Sequence, residues 1–344
     1  MASDLWTVKH EYSRKSEAEN QKVEFMKVAI AGGAGYTAGE LIRLLINHPE
    51  AELKYIQSES HKGEAIYKVH GDLLHSGLVF SDIDFTDIDV LFLCMGHGVS
   101  AEFLNTHPLP EKVKVIDLGN DFRLAKDAGE FVYGLPELSR ETIARSKYIA
   151  NPGCFATSIE LGLLPLAKAD KLPDDISVFG VTGSTGAGQK PTNDTHFSNR
   201  NDNLSNYKVF THQHLGEIGE TLVKVGASNA FDIAFVPVRG CHSRGIIADI
   251  VIRTEMEVEE IVNLYKAYYN GHPFVCVSDQ PLYMKQVVNT NYCYINICKQ
   301  GNKVLITSVI DNLLKGASGQ AVQNMNLLFG LEETTGLKLK ANYF

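Results

Sequence analysis

The chain has 344 residues, a formal net charge of −9, and a composition that is 44% hydrophobic and 21% charged. That length allows two globular domains with sizeable cores, and the balance is that of an ordinary folded protein. The acidic excess argues against a nucleic-acid binder, which needs a basic stripe, although local arginines or backbone N–H groups can still hold small anions.

In chain order, residues 1–25 are polar, mixed in charge and without the apolar core of a signal peptide. They are read as an N-terminal extension outside the fold. MKVAIAGG, from Met26, opens the first structural segment. Residues 27–60 read as a strand, a glycine-rich turn, an amphipathic helix and a second strand. DVLFLCMG and VKVIDLG follow as further short apolar strands. This alternation predicts an α/β domain with a parallel sheet covered on both faces. Beyond Cys154 the pattern changes. One helix is followed by longer strands, FDIAFVPVRG, SRGIIADIVIRTEM, NYCYINICKQ and NKVLITSVID, which look antiparallel. A second, α+β domain with a mixed sheet is expected there. The tail LLKGASGQAVQNMNLLFGLEE reads as one more amphipathic helix. No apolar run reaches membrane-spanning length.

The six cysteines, at 94, 154, 241, 276, 293 and 298, form no C-x-x-C pair. Separate thiols fit a reducing, cytoplasmic setting. No His and Cys cluster completes a metal site, so no metal is expected. Cys154 stands out in NPGCFATSIELGLLPLAKA. Pro152 and Gly153 force a turn, and the apolar run that follows suits a buried helix. A thiol at a helix start meets free N–H groups and the positive dipole end, which favour a thiolate. The alternative is a small buried hydrophobe beside a turn.

Gly32, Gly35 and Gly39 lie between the first strand and helix, with Ala34, Tyr36 and Thr37 among them. Small residues there let the backbone approach a pyrophosphate, and the helix start supplies donors. A bare tight turn is the other reading. The end of the second strand normally contacts the adenosine ribose. Here Ser58, Ser60 and Lys62 suit a 2′-phosphate, whereas Glu59 suits a free 2′-hydroxyl. In THQHLGEIGE, Glu217 lies three residues after His214, so a helix starting there lets the carboxylate orient the imidazole. Histidine can then move a proton for the thiol. Arg123, Lys190, Arg239 and Arg244 are candidate anion clamps.

Together AGGAGYTAGEL, GHGVS, VIDLGNDFRL, YGLPEL, ANPGCFAT, GSTGAG, HQHLGEI, SRGI and IDNLLKGASGQAVQNMN resemble the N-acetyl-γ-glutamyl-phosphate reductase family over nearly all of residues 26–344. The resemblance implies a Rossmann dinucleotide-binding domain, residues 26–150 and 313–344, and a substrate and oligomerisation domain, residues 151–312. It implies reduction of an acyl phosphate to a semialdehyde, with release of inorganic phosphate, in arginine biosynthesis. Cys154 would be the nucleophile and His214 the acid/base, oriented by Glu217, with His212 as the alternative. The cofactor would be NADP(H), held by Gly32, Ala34, Gly35, Tyr36, Thr37, Ser58 and Ser60, by Gly186, Ala187 and Gly188 on the nicotinamide side, and by Asn312. Arg123, Asn151 and Arg244 would bind substrate, and the assembly would be a homodimer or homotetramer.

Four positions depart from the family's pattern. Glu59 stands where an arginine usually reads the 2′-phosphate, which leaves NAD(H) open. Gly96 replaces a proline before His97, Gln189 an arginine, and Arg239-Gly240 apolar residues. The last two point to an acyl group larger or more anionic than acetyl, such as N-succinyl. A catalytically silent nucleotide-binding protein would instead show erosion at the nucleophile and base, yet Cys154, His214 and Glu217 are all present.

Overall fold

A computed structural model describes residues 25–96, 98–228 and 230–344. The expected extension up to residue 24, and His97 of the GHGVS stretch, lie outside the described residues. In the first half the chain forms β1 (Met26–Ala31), α1 (Tyr36–Leu45), β2 (Ala51–Gln57), β3 (Val90–Leu93), α2 (Ser100–Thr106), β4 (Lys114–Asp117), β5 (Val132–Tyr133), α3 (Pro136–Ala144) and β6 (Tyr148–Ala150). The six strands pair in the order β2-β1-β3-β4-β6-β5, all parallel. All four residues of β3 are buried, as a strand covered on both faces requires. The order reverses at β1, between β2 and β3, and ligands of such sheets bind in the crevice at the strands' carboxyl ends there. Gly32 lies in that crevice with φ +83, and a Cβ on it would stand 2.6 Å from the Cys94 carbonyl oxygen. Only glycine fits both the left-handed backbone and the close approach.

The second half contains α4 (Cys154–Lys168), β7 (Asp175–Thr182), α5 (Phe197–Arg200), β8 (Ser205–Asn206), α6 (His214–Val225), β9 (Asp232–Arg239), β10 (Ile246–Arg253), α7 (Val258–Tyr268), β11 (Val275–Ser278), β12 (Cys293–Gln300), β13 (Lys303–Ile310) and α8 (Gly319–Leu328). Seven strands pair in the order β11-β12-β13-β10-β7-β9-β8. The sheet is mixed: β7–β9 and β11–β12 are parallel and the other pairs antiparallel. Every residue of α4 from Phe155 to Ala167 is buried. It packs on β10 and β13 and against α6, all of which belong to one apolar core. Each fully buried Leu or Ile of that run contributes roughly 1.5–3 kcal/mol, so the helix carrying Cys154 at its first position is rigidly anchored.

The tail differs from the amphipathic helix expected. Leu314–Ser318 is a π-helical turn, and α8 after it is buried at every residue. Its apolar members Ala321, Val322, Met325 and Leu328 join the core of the first half. Its side-chain amide N–H groups find acceptors inside the protein, while the Gln320 and Asn324 side-chain oxygens are buried without a protein partner among the described residues. Gln320 donates to Thr157, Asn324 to the Gly134 carbonyl and the Asn151 side chain, and Asn326 to the carbonyls of Glu333 and Thr335. Amide side chains give a polar pattern in sequence but can be buried when each finds a partner.

Among the described residues no helix is long and apolar enough to cross a membrane, and no group of three or more His, Cys, Asp or Glu side chains could hold a metal ion.

Candidate active site

Cys154 is the first residue of α4, and Gly153 before it is the extended N-cap, with φ −70 and ψ 152. The expected helix-start thiolate is outweighed by burial, which pushes the thiol up to about 11; the Arg123 charge and the backbone N–H groups of Phe155 and Cys154 pull the other way. The thiol is therefore protonated near neutral pH and needs a base to become a nucleophile.

The base candidates stand beside it. His214 opens α6, and its Nε2 lies 3.8 Å from Glu217 Oε1. Both side chains press on the hydrogen face of Gly153: a Cβ there would fall 2.6 Å from His214 Cε1 and 2.7 Å from Glu217 Oε1. Glu217 is held on several sides. Its Oε2 accepts from Gly153 N at 3.0 Å and from Tyr133 Oη at 2.9 Å, and its Oε1 lies 3.2 Å from Arg123 Nη1. His212 packs edge-on against His214, ring centroids 4.5 Å apart, and its Nδ1 accepts from His214 N at 3.2 Å. Burial and the neighbouring His214 and Lys208 push His212 down to about 3, so it stays neutral at physiological pH. From the opposite side comes Gly316 of the π-helical turn. A Cβ on it would fall 2.8 Å from Cys154 Cβ.

The dinucleotide crevice adjoins this centre. Gly35 is the extended N-cap of α1, and a Cβ there would meet nothing within 4 Å. Its backbone is open to a ligand, as are the first amides of α1. Tyr36 is exposed, and the Thr37 carbonyl accepts from Ser318 Oγ. Ser58 is buried with its hydroxyl 3.4 Å from that of Ser60. Ser60 and Glu59 are exposed, and exposed Lys62 pairs with Asp82 at 2.5 Å. Asn312 does not point freely at a ligand. Its Oδ1 accepts from Gly245 N at 2.7 Å and its Nδ2 donates to Thr185 Oγ1 at 3.0 Å, which fixes the loop bearing Gly186, Ala187 and Gly188. Those three glycine and alanine residues are exposed or nearly so, apart from the loop's anchored start.

The candidate substrate residues are largely committed to the protein. Arg123 donates to the carbonyls of Asn151 and Leu118 and pairs with Glu217. Asn151 is buried, donating to the Ala317 carbonyl and accepting from Asn324. Arg244 ties the two halves, pairing with Glu40 of α1 at 2.6 Å and with Asp311 at 3.1 Å. Arg239 stacks over the Tyr207 ring at 4.5 Å, and Lys190 is exposed. Sequence reasoning missed Tyr133, Glu160 and Gly316. Glu160, a lone carboxyl in the apolar run of α4, was the one visible signal.

A parallel sheet with a glycine turn at its switch point, joined to a mixed-sheet domain that begins at a helix-start cysteine, is the architecture of a two-domain dinucleotide-binding protein with a thiol at the junction. The family described as semialdehyde dehydrogenase, NAD binding domain, matches residues 27–146, and semialdehyde dehydrogenase, dimerisation domain, matches residues 154–312. These assign the chain a nicotinamide dinucleotide cofactor and an oligomerising second half. Proteins named N-acetyl-γ-glutamyl-phosphate reductase from Parabacteroides distasonis and Flavobacterium johnsoniae are 54% and 50% identical to it, each match covering 93% of this chain and all of the relative. The chain belongs to the N-acetyl-γ-glutamyl-phosphate reductase family. Aspartate semialdehyde dehydrogenase II from Vibrio cholerae, solved with a bound ligand, has the same fold, with a TM-score of 0.69 at 16% identity over 89% of this chain and 98% of that one. The Candida albicans aspartate semialdehyde dehydrogenase solved with NADP gives 0.67 at 15% identity over the same 89% and 98%.

Proposed function

We propose that this chain reduces N-acetyl-γ-glutamyl phosphate to N-acetylglutamate 5-semialdehyde and inorganic phosphate through a Cys154 thioester, as a step of arginine biosynthesis in the cytoplasm. The observation that carries the reading is the contact of His214 and Glu217 with Gly153, the residue before the thiol.

His214 takes the Cys154 proton, because burial disfavours the protonated form that His212 would have to adopt as the base. The thiolate attacks the γ-carbonyl carbon; the C–S bond forms, the carbon–phosphate oxygen bond breaks, and phosphate leaves. A nicotinamide dinucleotide bound in the crevice would supply a hydride to the thioester carbon. His214 gives its proton to the developing alkoxide, the backbone N–H groups at the start of α4 face the reacting sulfur, and collapse of the thiohemiacetal returns the thiol and frees the aldehyde. Glu217 keeps the imidazole oriented throughout, and Arg123 holds Glu217.

The open backbone at Gly35 and the first amides of α1 fit a pyrophosphate, with Gly32, Ala34, Tyr36 and Thr37 lining the turn. NADP(H) is the proposed form, with Ser58 and Ser60 at the 2′-phosphate. The assembly is a homodimer or homotetramer built through the second half, readable by sedimentation. The test is phosphate-dependent reduction of NADP+ and of NAD+ with N-acetylglutamate semialdehyde, wild type against Cys154→Ala. Activity that survives the substitution sinks the thioester route. A higher kcat/KM with NAD+ overturns the cofactor form and assigns Glu59 to a free ribose hydroxyl.

A second reading concerns the acyl group alone. The Arg239 cation over Tyr207 lies on the His212 side of the centre, the two rings 5.7 Å apart. An extra carboxylate, as in an N-succinyl group, would pair there. A clear preference for the N-acetyl substrate in kcat/KM removes this reading.

A further inference from the structure

Glu160 lies on α4, six residues beyond the thiol, and is fully buried. Tyr133 Oη stands 3.0 and 3.1 Å from its two carboxyl oxygens and 2.9 Å from Glu217 Oε2. A phenol has one proton and can donate to only one of two carboxylates. The groups facing Glu160 are Tyr133 from β5, Glu217 and Thr221 from α6, and Arg123 from the segment after β4. Arg123 is the one cation among them, and its guanidinium is already bonded to Glu217 and to the carbonyls of Asn151 and Leu118. Among the described residues Arg123 is therefore the one permanent cation facing two buried carboxyls, His214 beside Glu217 being charged only when protonated, and ionising both carboxyls in the resting site would leave one uncompensated.

We propose that Glu160 is a positioning residue held as the neutral acid, donating its proton to Tyr133 so that Tyr133 donates to Glu217. The two protons fill the two contacts in one direction, Glu160 to Tyr133 to Glu217. Glu217 then keeps its charge for Gly153 N–H, Arg123 and His214. Burial, followed by the Glu217 charge, pushes the Glu160 carboxyl far above the usual carboxylate range, in keeping with the proton count. The role of this chain in catalysis rests on the reading that Glu217 orients His214; the protonation of Glu160 does not.

Three measurements test it. Infrared difference spectra at pH 7.5, wild type against Glu160→Gln, should lose the C=O stretch of a buried carboxylic acid. This needs no turnover, so its failure is separable from failure of the proposed reaction. The amide of Glu160→Gln still donates to Tyr133 and carries no charge, so its kcat/KM should stay within about twofold of wild type with an unmoved pH profile. Glu160→Ala, which removes the donor, should lower kcat roughly tenfold with little change in KM. An unchanged carboxylic-acid band, or a pH profile of Glu160→Gln displaced by about half a pH unit or more, means that Glu160 is ionised and overturns the proposal. Wild-type kcat in a folded Glu160→Ala overturns the positioning role. Should that variant fail to fold, the glutamine spectra and profile still decide.

Discussion

Gly153→Ala is the sharpest probe of the site, because its backbone cost is nil. With φ −70 and ψ 152, Gly153 is in extended backbone that alanine adopts freely. The whole effect is then the added methyl, which meets His214 Nε2 first and falls 2.6 Å from Cε1, whereas ordinary contact begins at 3.4 Å. The nearest ring atom, Nε2, must retreat by about 1 Å, or the loop bearing Cys154 must move by as much. Displacing a catalytic group by about 1 Å costs on the order of 10²-fold in rate, or about 2.7 kcal/mol of barrier. Overpacking of this kind also destabilises by about 1–3 kcal/mol, a fall in Tm of a few degrees. The assay is phosphate-dependent NADP+ reduction with N-acetylglutamate semialdehyde, with Tm measured on the same sample. The expected result is a folded protein with kcat/KM reduced about a hundredfold. Near-wild-type kcat/KM in the folded variant would refute the reasoning, since the ring would then be free to leave its place without consequence.

Three further outcomes are expected. Gly316→Ala puts a methyl 2.8 Å from Cys154 Cβ, so alkylation of Cys154 and kcat should both fall at least tenfold or so, read by mass spectrometry of iodoacetamide-treated protein beside the assay. His214→Asn should lose more kcat/KM than His212→Asn, and His212→Asn should leave the pH profile between about 5 and 9 in place, because the imidazole of His212 is already neutral there; the reverse ranking transfers the acid/base role to His212. Asp117, fully buried, is raised to about 6 by burial against an ordinary 3.8. A folded-state pKa above the unfolded one means that its stabilising contribution is present below about pH 4 and lost as pH rises through 6. Chemical denaturation of Asp117→Asn should therefore show stability gained relative to wild type between about pH 4 and pH 6, by up to roughly 3 kcal/mol; a difference that does not vary with pH contradicts the burial argument.

What the sequence could reveal divides along a physical line. The thiol at a helix start was legible because Pro-Gly and an apolar run act locally, and Glu217 followed His214 at helical spacing. The state of the thiol was not legible, because desolvation comes from segments distant in sequence, Gly316 among them. Arginines invite an anion reading, yet Arg123 and Arg244 are drawn inward by Glu217, Glu40 and Asp311, partners that no spacing rule links. Tyr133 meets Glu160 and Glu217 across 27 and 84 residues of chain. Likewise, Asn and Gln in the tail signalled an exposed face, and only their internal hydrogen bonds account for burial on every side.

The same tertiary logic makes residues 311–318 a structural link between the two halves. Asp311 anchors Arg244, and Arg244 reaches Glu40 on the first helix of the dinucleotide crevice. Asn312 fixes Thr185 and Gly245, and so the loop expected at the nicotinamide. Gly316 packs so close to Cys154 that a Cβ on it would fall 2.8 Å from the Cys154 Cβ, and Ser318 donates to the Thr37 carbonyl in the glycine turn. The π-helical turn Leu314–Ser318 widens the helix where these contacts converge. Residues 311–318 thus lie between the thiol at the start of α4 and the crevice of the parallel sheet, touching both sides. Reaction between the thiol and a group held in that crevice depends on their relative placement, so a change at Asp311, Asn312, Gly316 or Ser318 should disturb both sites together.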